Sequence, residues 1–243
     1  MAINKVRRAS KFAIDCLRGD DQAINRIRSF AYPVVYKAMF SRARKDGGGV
    51  RRLFVDAGAN VGQGFGFFKT VFKPSDYTYH FFEPNPNCVA VLEGNIANEK
   101  FPNGYRVHQK AVWIKNETLK FYGISESGSS VTQGGSVLAD HNSLYYESDP
   151  GCALEVEAIS FADYLVEVQQ EFDEIVLKID IEGAELDVLE DLQARMNLFR
   201  KPTIMFVEFH AIYAGSDKKQ SALERERVIL RNVPENVKMF RWY

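Results

Sequence analysis

The sequence predicts an α/β fold: a mostly parallel sheet with helices on both faces, preceded by a helical N-terminal element. Three observations carry that reading. Leu53 to Gly62, LFVDAGANVG, is a short apolar run that ends in an acid and then turns through glycines into a helix. Tyr77 to Glu83 is an aromatic-rich strand that also ends in an acid, ahead of Pro84-Asn85-Pro86. Glu174 to Leu192 and Thr203 to His210 repeat the pattern, the first running into a helix and the second finishing as Val-Glu-Phe-His. Strands that alternate with helical patterns call for parallel pairing, because each crossover lays a helix on the sheet.

Taken in order, residues 1–50 read as a basic helical element and residues 51–243 as the body, a chain long enough to bury a full core. Residues 1–52 hold 13 Lys and Arg against 4 Asp and Glu, so a formal charge of −1 hides a +9 preface on a −10 remainder. Ala9, Phe12, Ala13, Cys16 and Leu17, then Ile24, Ile27, Phe30 and Ala31, fit two amphipathic helices joined at Gly19-Asp20-Asp21, with Pro33 disturbing the second. The preface suits a lid with solvated basic faces, an anionic partner, or docking within a homo-oligomer. Nucleic acid is the less favoured partner, since basic and aromatic residues do not interleave regularly.

In the body, Gly58 and Gly62 let the backbone pass close to a ligand, and a helix over roughly Gly64 to Val71 would aim its first N–H groups at the turn. The spacing Gly-x-Asn-x-Gly does not fit the dinucleotide fingerprint, which weighs against a nicotinamide dehydrogenase. Glu83 falls 25 residues after Gly58, near the interval at which a strand-end acid accepts from both ribose hydroxyls. Its plainer role would be to cap the helix beginning near Asn87. Between about Lys115 and Tyr164 the rhythm breaks into an insertion with strands at Glu117–Tyr122 and Leu154–Ile159 and turn-rich serines and glycines between them, a place for a lid or acceptor pocket. Strand alternation puts Lys178 and Asp180 on one side, implying a polar cleft or else a structural ion pair. Glu208 and His210 share a face at the end of the last of these strands.

Cys16, Cys88 and Cys152 are scattered and odd in number, which disfavours a disulfide framework or zinc knuckle and suits a reducing cytoplasm. No apolar run approaches the length of a bilayer span, and the N-terminus lacks the apolar core of a secretion signal.

Together, VDAGANVG, FFEPNPNCVAVLEGNI, QKAVW, Ser129-Ser130, KIDIEGAELDVLEDL and VEFH resemble, in order and spacing, the FkbM-type S-adenosylmethionine-dependent methyltransferases over about Leu53 to His210. The resemblance implies a class I methyltransferase, Rossmann-like fold and methyl transfer from S-adenosylmethionine to a hydroxyl of a sugar, glycan or secondary metabolite. It places Asp56, Gly58, Asn60 and Gly62 at the methionine part of the cofactor, Glu83 at the ribose with Pro84 beside it, and the segment around Ala111 at the adenine. Asp180 counts with the cofactor site, and Ser129, Ser130 and Lys178 with the acceptor. Two departures stand out: Ile159-Ser160-Phe161-Ala162-Asp163 replaces a Leu-Asp-Asp-like run, and only Val237 to Tyr243 offers a strand after VEFH where the fold normally adds two. The final antiparallel hairpin is therefore expected to be incomplete or rearranged.

Methyl transfer from a sulfonium needs in-line alignment of nucleophile, carbon and sulfur, and a base for the hydroxyl proton. His210 is the first candidate base, with Glu208, Glu182 or Asp180 fixing its tautomer, and Asp180 the second. Asp180, Glu182 and Glu208 with His210 could instead bind a hard divalent cation, but nothing in the spacing demands a metal and none is expected. Alternatives are an RNA or nucleotide ribose methyltransferase and a non-catalytic cofactor-binding module; the chain lacks an Asn-Pro-Pro-Tyr-type motif for base nitrogens.

Overall fold

The apolar strands predicted above assemble into one six-stranded sheet. The computed structural model describes residues 49–124, 131, 134–139, 151–211, 214 and 217–242. The predicted helices of the preface, and Ser129 and Ser130, lie outside the described residues. The main sheet runs β3 (Tyr105–His108), β2 (Thr78–Phe82), β1 (Arg52–Ala57), β7 (Glu174–Ile179), β8 (Thr203–Val207) and β9 (Val237–Arg241), with every neighbouring pair parallel. The chain leaves β1 toward β2 on one side and returns to β7 on the other, so the strand order reverses between β1 and β7. At such a switch point the carboxyl ends of the strands open a crevice.

The two faces of the sheet are packed by different chemistry. Alternation along β1 and β2 sends Phe54, Tyr79 and Phe81 to one face, where they meet Phe65 and Phe68 of α1 (Gln63–Phe68) and Phe72 beyond it. Leu53, Val55, Leu177, Ile179 and Val207 point to the other face and form an aliphatic core with α3 (Phe161–Val168), α4 (Glu185–Ala194) and α5 (Lys219–Arg231). α2 (Pro86–Ile96) begins with Pro in its first turn, a position that needs no N–H donor, and the Asn85 side chain accepts from Asn87 N. The helix expected near Asn87 is thus present, with Asn85 as its cap.

The insertion forms a second sheet of β4 (Ala111–Trp113), β6 (Leu154–Ser160) and β5 (Glu117–Phe121), with β4 and β6 parallel and β5 and β6 antiparallel. Ser160, in the segment that departs from the family pattern, caps α3 by accepting from Asp163 N. The last strand shows the rearrangement: β9 lies directly beside β8 and parallel to it, so the described sheet ends without an antiparallel hairpin. Trp242, just past β9, packs on Phe67 and Phe68. No described helix is long and apolar enough to cross a membrane.

Candidate functional site

The backbones of β1 and β7 come so close at the switch point that residue 58 has no room for a side chain. Gly58 has φ +77, and a Cβ there would stand 1.7 Å from the Asp180 carbonyl oxygen. The two turns are joined by a hydrogen bond from Asp180 N to Ala57 O.

Beneath this contact lies a buried charge platform. Lys178 Nζ donates to Gly58 O at 2.7 Å and forms ion pairs with Asp56 Oδ1 at 3.1 Å and Asp180 Oδ2 at 3.2 Å. Burial alone would lower the Lys178 pKa, but the charges of Asp180 and Asp56 outweigh it and hold the ammonium firmly protonated. Asp56 is closed to solvent, and burial raises its pKa against the pull of Lys178. Lys178 was expected at the acceptor, yet it is 2% exposed and surrounded by acceptors, the arrangement of a structural ion pair. Asp56, expected at the methionine part, is buried with Lys178 beside it. Each charge compensates the other where neither could be buried alone.

The glycine turn is closed on itself in a way the sequence does not reveal. Gly58 and Ala59 N–H both donate to Phe82 O, Asn60 N donates to Glu83 Oε2, Val61 N to Asn60 Oδ1, and Gly62 N to Ala59 O. Asn60 takes the left-handed conformation, φ 47, as an Asn in a tight turn readily does. The N–H groups of residues 58–62 are therefore bonded within the protein.

Glu83 spans two turns, with Oε2 accepting from Asn60 N and Oε1 from Asn85 N, both at 2.9 Å. Each carboxylate oxygen keeps a further lone pair for another donor. Pro84 is buried beside it, and Ala111 is buried at the start of β4. Burial pushes the Glu83 carboxyl up to about 7, against the two N–H groups that favour its charged form. The folded protein therefore binds this proton more tightly than the unfolded chain. The resulting stabilisation is complete below the ordinary value of 4.5 and is lost as the pH rises through about 7. Across that window the unfolding free energy should fall by roughly 3 kcal/mol, and Glu83→Gln should remove this component. Urea denaturation at a series of pH values measures it; superimposable profiles for wild type and variant would contradict the assignment.

On the far side of Asp180 stands an imidazole ringed by carboxylates. β8 ends at Val207, so Glu208 and His210 lie in the loop beyond it, with Glu208 N tied to Ile179 O. His210 is 7% exposed; Nδ1 meets Glu185 Oε1 at 2.9 Å, while Nε2 lies 3.3 Å from Glu182 Oε2, 3.9 Å from Asp180 Oδ1 and 4.0 Å from Glu208 Oε1. Sequence reasoning named Glu208, Glu182 and Asp180 as groups to orient the ring and missed Glu185. An acid in the first turn of a helix reads as a partner for the helix dipole, and only the return of β8 brings His210 onto it. Glu185 is itself fixed, accepting from Ile181 N and Gly183 N.

Burial disfavours the imidazolium, but Glu185, Glu182 and Asp180 prevail and push the His210 pKa up to about 10. Glu185 is correspondingly held below the ordinary carboxylate range in spite of its burial. The ring expected to act as a base is thus biased toward its imidazolium form by the carboxylates around it. Glu208 is pushed the other way, up to about 7, by burial and by the charge of Asp180.

Glu182 has φ 53 and precedes Gly183 with φ 100, a left-handed pair that reverses the chain between β7 and α4. Ser136 Oγ donates to Glu182 O at 2.6 Å and links the insertion to this turn. Beside His210 lies a cleft of about 310 Å³, bounded by Leu138, Gly183, Leu186, Ser221 and Arg225.

Residues 56–233 match the family described as the methyltransferase FkbM domain. Among solved structures, the chain is similar to the methyltransferase FkbM from Methylobacillus flagellatus KT, at 16% identity and a TM-score of 0.44, over 82% of this chain and 42% of that one. The chain thus spans less than half the length of that protein. No curated protein matches significantly.

Proposed function

The chain belongs to the FkbM methyltransferase family, which its residues 56–233 match, and from that premise we propose that it transfers methyl from S-adenosylmethionine to a hydroxyl oxygen of a sugar, glycan or secondary metabolite. The observation that carries the choice of cofactor is electrostatic. The N–H groups of residues 58–62 are engaged within the protein, and Lys178 is enclosed by its own acceptors, so the turn itself has little to offer a pyrophosphate. Glu83, Asp180, Glu182 and Glu208 gather around the strand ends instead, which suits a donor carrying a sulfonium and an ammonium. Gly58, Asn60 and Gly62 shape the wall for the methionine part, with Asp56 acting from beneath through Lys178. Glu83 accepts from the ribose on its remaining lone pairs, beside Pro84, and the segment around Ala111 borders the adenine.

The acceptor enters the cleft beside His210, and Ser129 and Ser130, which lie outside the described residues, are assigned to it by the family resemblance alone. When bound, S-adenosylmethionine would supply an electrophilic methyl on its sulfonium and leave as the thioether, and Asp180 or Glu208 would take the proton of the attacking hydroxyl. His210 sets its charge beside both carboxylates, with Nε2 3.9 Å from Asp180 Oδ1 and 4.0 Å from Glu208 Oε1. The scattered cysteines suit action in the cytoplasm.

Calorimetry on cofactor-stripped protein tests the first half of this reading: S-adenosylmethionine and S-adenosylhomocysteine should bind, and NAD should not. Preference for NAD would refute it. Labelled S-adenosylmethionine offered with glycan, metabolite and RNA panels then identifies the acceptor, and label appearing in RNA alone would move the assignment to ribose.

A further inference from the structure

We propose that Asp180, Glu182 and His210 bind one divalent cation of the Mg²⁺ and Mn²⁺ class. One oxygen from each carboxylate and one nitrogen of the imidazole all lie within 4.8 Å of one another. Opposite ligands of a small octahedral cation stand roughly 4 Å apart, so small rotations of these side chains close the set. The donors come from separate segments: Asp180 directly after β7, Glu182 from the left-handed turn before α4, and His210 from the loop after β8.

A second observation concerns how the donors are aimed. Glu185, 1% exposed and anchored by Ile181 N and Gly183 N, holds His210 Nδ1 at 2.9 Å and thereby turns Nε2 toward the carboxylates. A buried carboxylate on the outer nitrogen of a histidine is the support that fixes tautomer and orientation in metal-ligating imidazoles. Asp180 is aimed in the same way, with Oδ2 on Lys178 and Oδ1 toward the cluster.

An imidazolium alone accounts poorly for this convergence. The single hydrogen on Nε2 can serve one carboxylate, and Asp180 Oδ1 and Glu208 Oε1 stop at 3.9 and 4.0 Å, beyond hydrogen-bond reach. A cation in place of that hydrogen would draw on Asp180 and Glu182 together, with Glu208 close by. Two carboxylates, one imidazole and no thiolate favour Mg²⁺ or Mn²⁺ over softer metals. Asp180 and Glu182 are 24% and 25% exposed, so coordination positions remain open to solvent for water or for two adjacent hydroxyls. Cation binding is independent of the proposed function, but the use of those positions to orient an acceptor rests on it.

Electron paramagnetic resonance of Mn²⁺ titrated into the full chain, stripped with EDTA, tests the site. We expect one bound Mn²⁺ per chain, displaceable by Mg²⁺, with spin-echo modulation from one imidazole nitrogen. His210→Gln should abolish that modulation and, like Glu182→Gln, weaken binding at least about 10-fold, while Glu185→Gln, which keeps every ligand, should weaken it about 10- to 100-fold. Circular dichroism establishes that each variant is folded, and if His210→Gln is not, the nitrogen signal of the wild type decides. Absence of Mn²⁺ binding, bound Mn²⁺ without nitrogen coupling, or undiminished affinity in folded His210→Gln would each overturn the proposal. S-adenosylmethionine calorimetry on the EDTA-treated chain separates failure of the cation site from failure of the methyl-transfer reading.

Discussion

Gly58→Ala should destabilise the protein by roughly 4 kcal/mol or more, the range of the most disruptive point substitutions. Two penalties coincide there. The left-handed backbone, φ +77, disfavours any residue with a Cβ, and the added carbon would lie 1.7 Å from Asp180 O and 2.8 Å from its carbonyl carbon. Neither atom is the end of a movable side chain. Relief would require the β1 and β7 turns to separate, breaking the Asp180 N to Ala57 O bond that joins them. Gly66→Ala is the control, since nothing lies within 4 Å of its Cβ position in α1, and it should be neutral or stabilising by up to about 1 kcal/mol. Urea midpoints for the two variants compare them directly; a Gly58→Ala protein as stable as wild type would mean that the strands are farther apart than described.

The second large effect belongs to Lys178→Met. It keeps most of the apolar stem but removes the cation beside Asp56, which has no exposed surface. Breaking one side of a buried pair leaves an uncompensated charge, and a loss of about 3–5 kcal/mol is expected. Asp56→Asn combined with Lys178→Met should lose much less than the sum of the single changes, because the pair disappears together. Strict additivity in chemical denaturation would show that the two residues are not coupled. Asp180 also loses its Oδ2 partner in Lys178→Met, so any Mn²⁺ affinity should fall in the same variant.

Where apolar runs and terminal acids coincide, the sequence was sufficient to locate the strands. A buried parallel strand reads as a continuous run of Val, Ile, Leu and Phe, and Leu53–Val55, Phe81–Phe82, Ile175–Leu177 and Phe206–Val207 all have that form. The odd final strand was legible too, because a single apolar segment after VEFH cannot make a hairpin. Partners distant in the chain were not. Alternation placed Lys178 and Asp180 on one side correctly, but the ion pair also depends on Asp56, brought alongside only when β1 pairs with β7. Glu185 has the sequence appearance of a helix-start acid, and its bond to His210 crosses 25 residues. The engaged N–H groups of the turn depend on where Phe82 O and Glu83 fall, which no local pattern specifies.

The neighbour relation of β1 and β7 also bears on how the chain reaches its native state. The Lys178 to Gly58 hydrogen bond spans 120 residues, and closing a flexible loop of that size carries an entropic penalty of roughly 4 kcal/mol before any contact compensates it. Pairing of β1 with β2 involves a much shorter loop, so a β1–α1–β2 unit with its aromatic face can assemble early while the charge platform waits for β7. Asp56 then acquires Lys178 only at the step that docks the two halves. That step should be slow, as non-local parallel pairing generally is, and interruption before it would leave a half-sheet with an exposed strand edge prone to association.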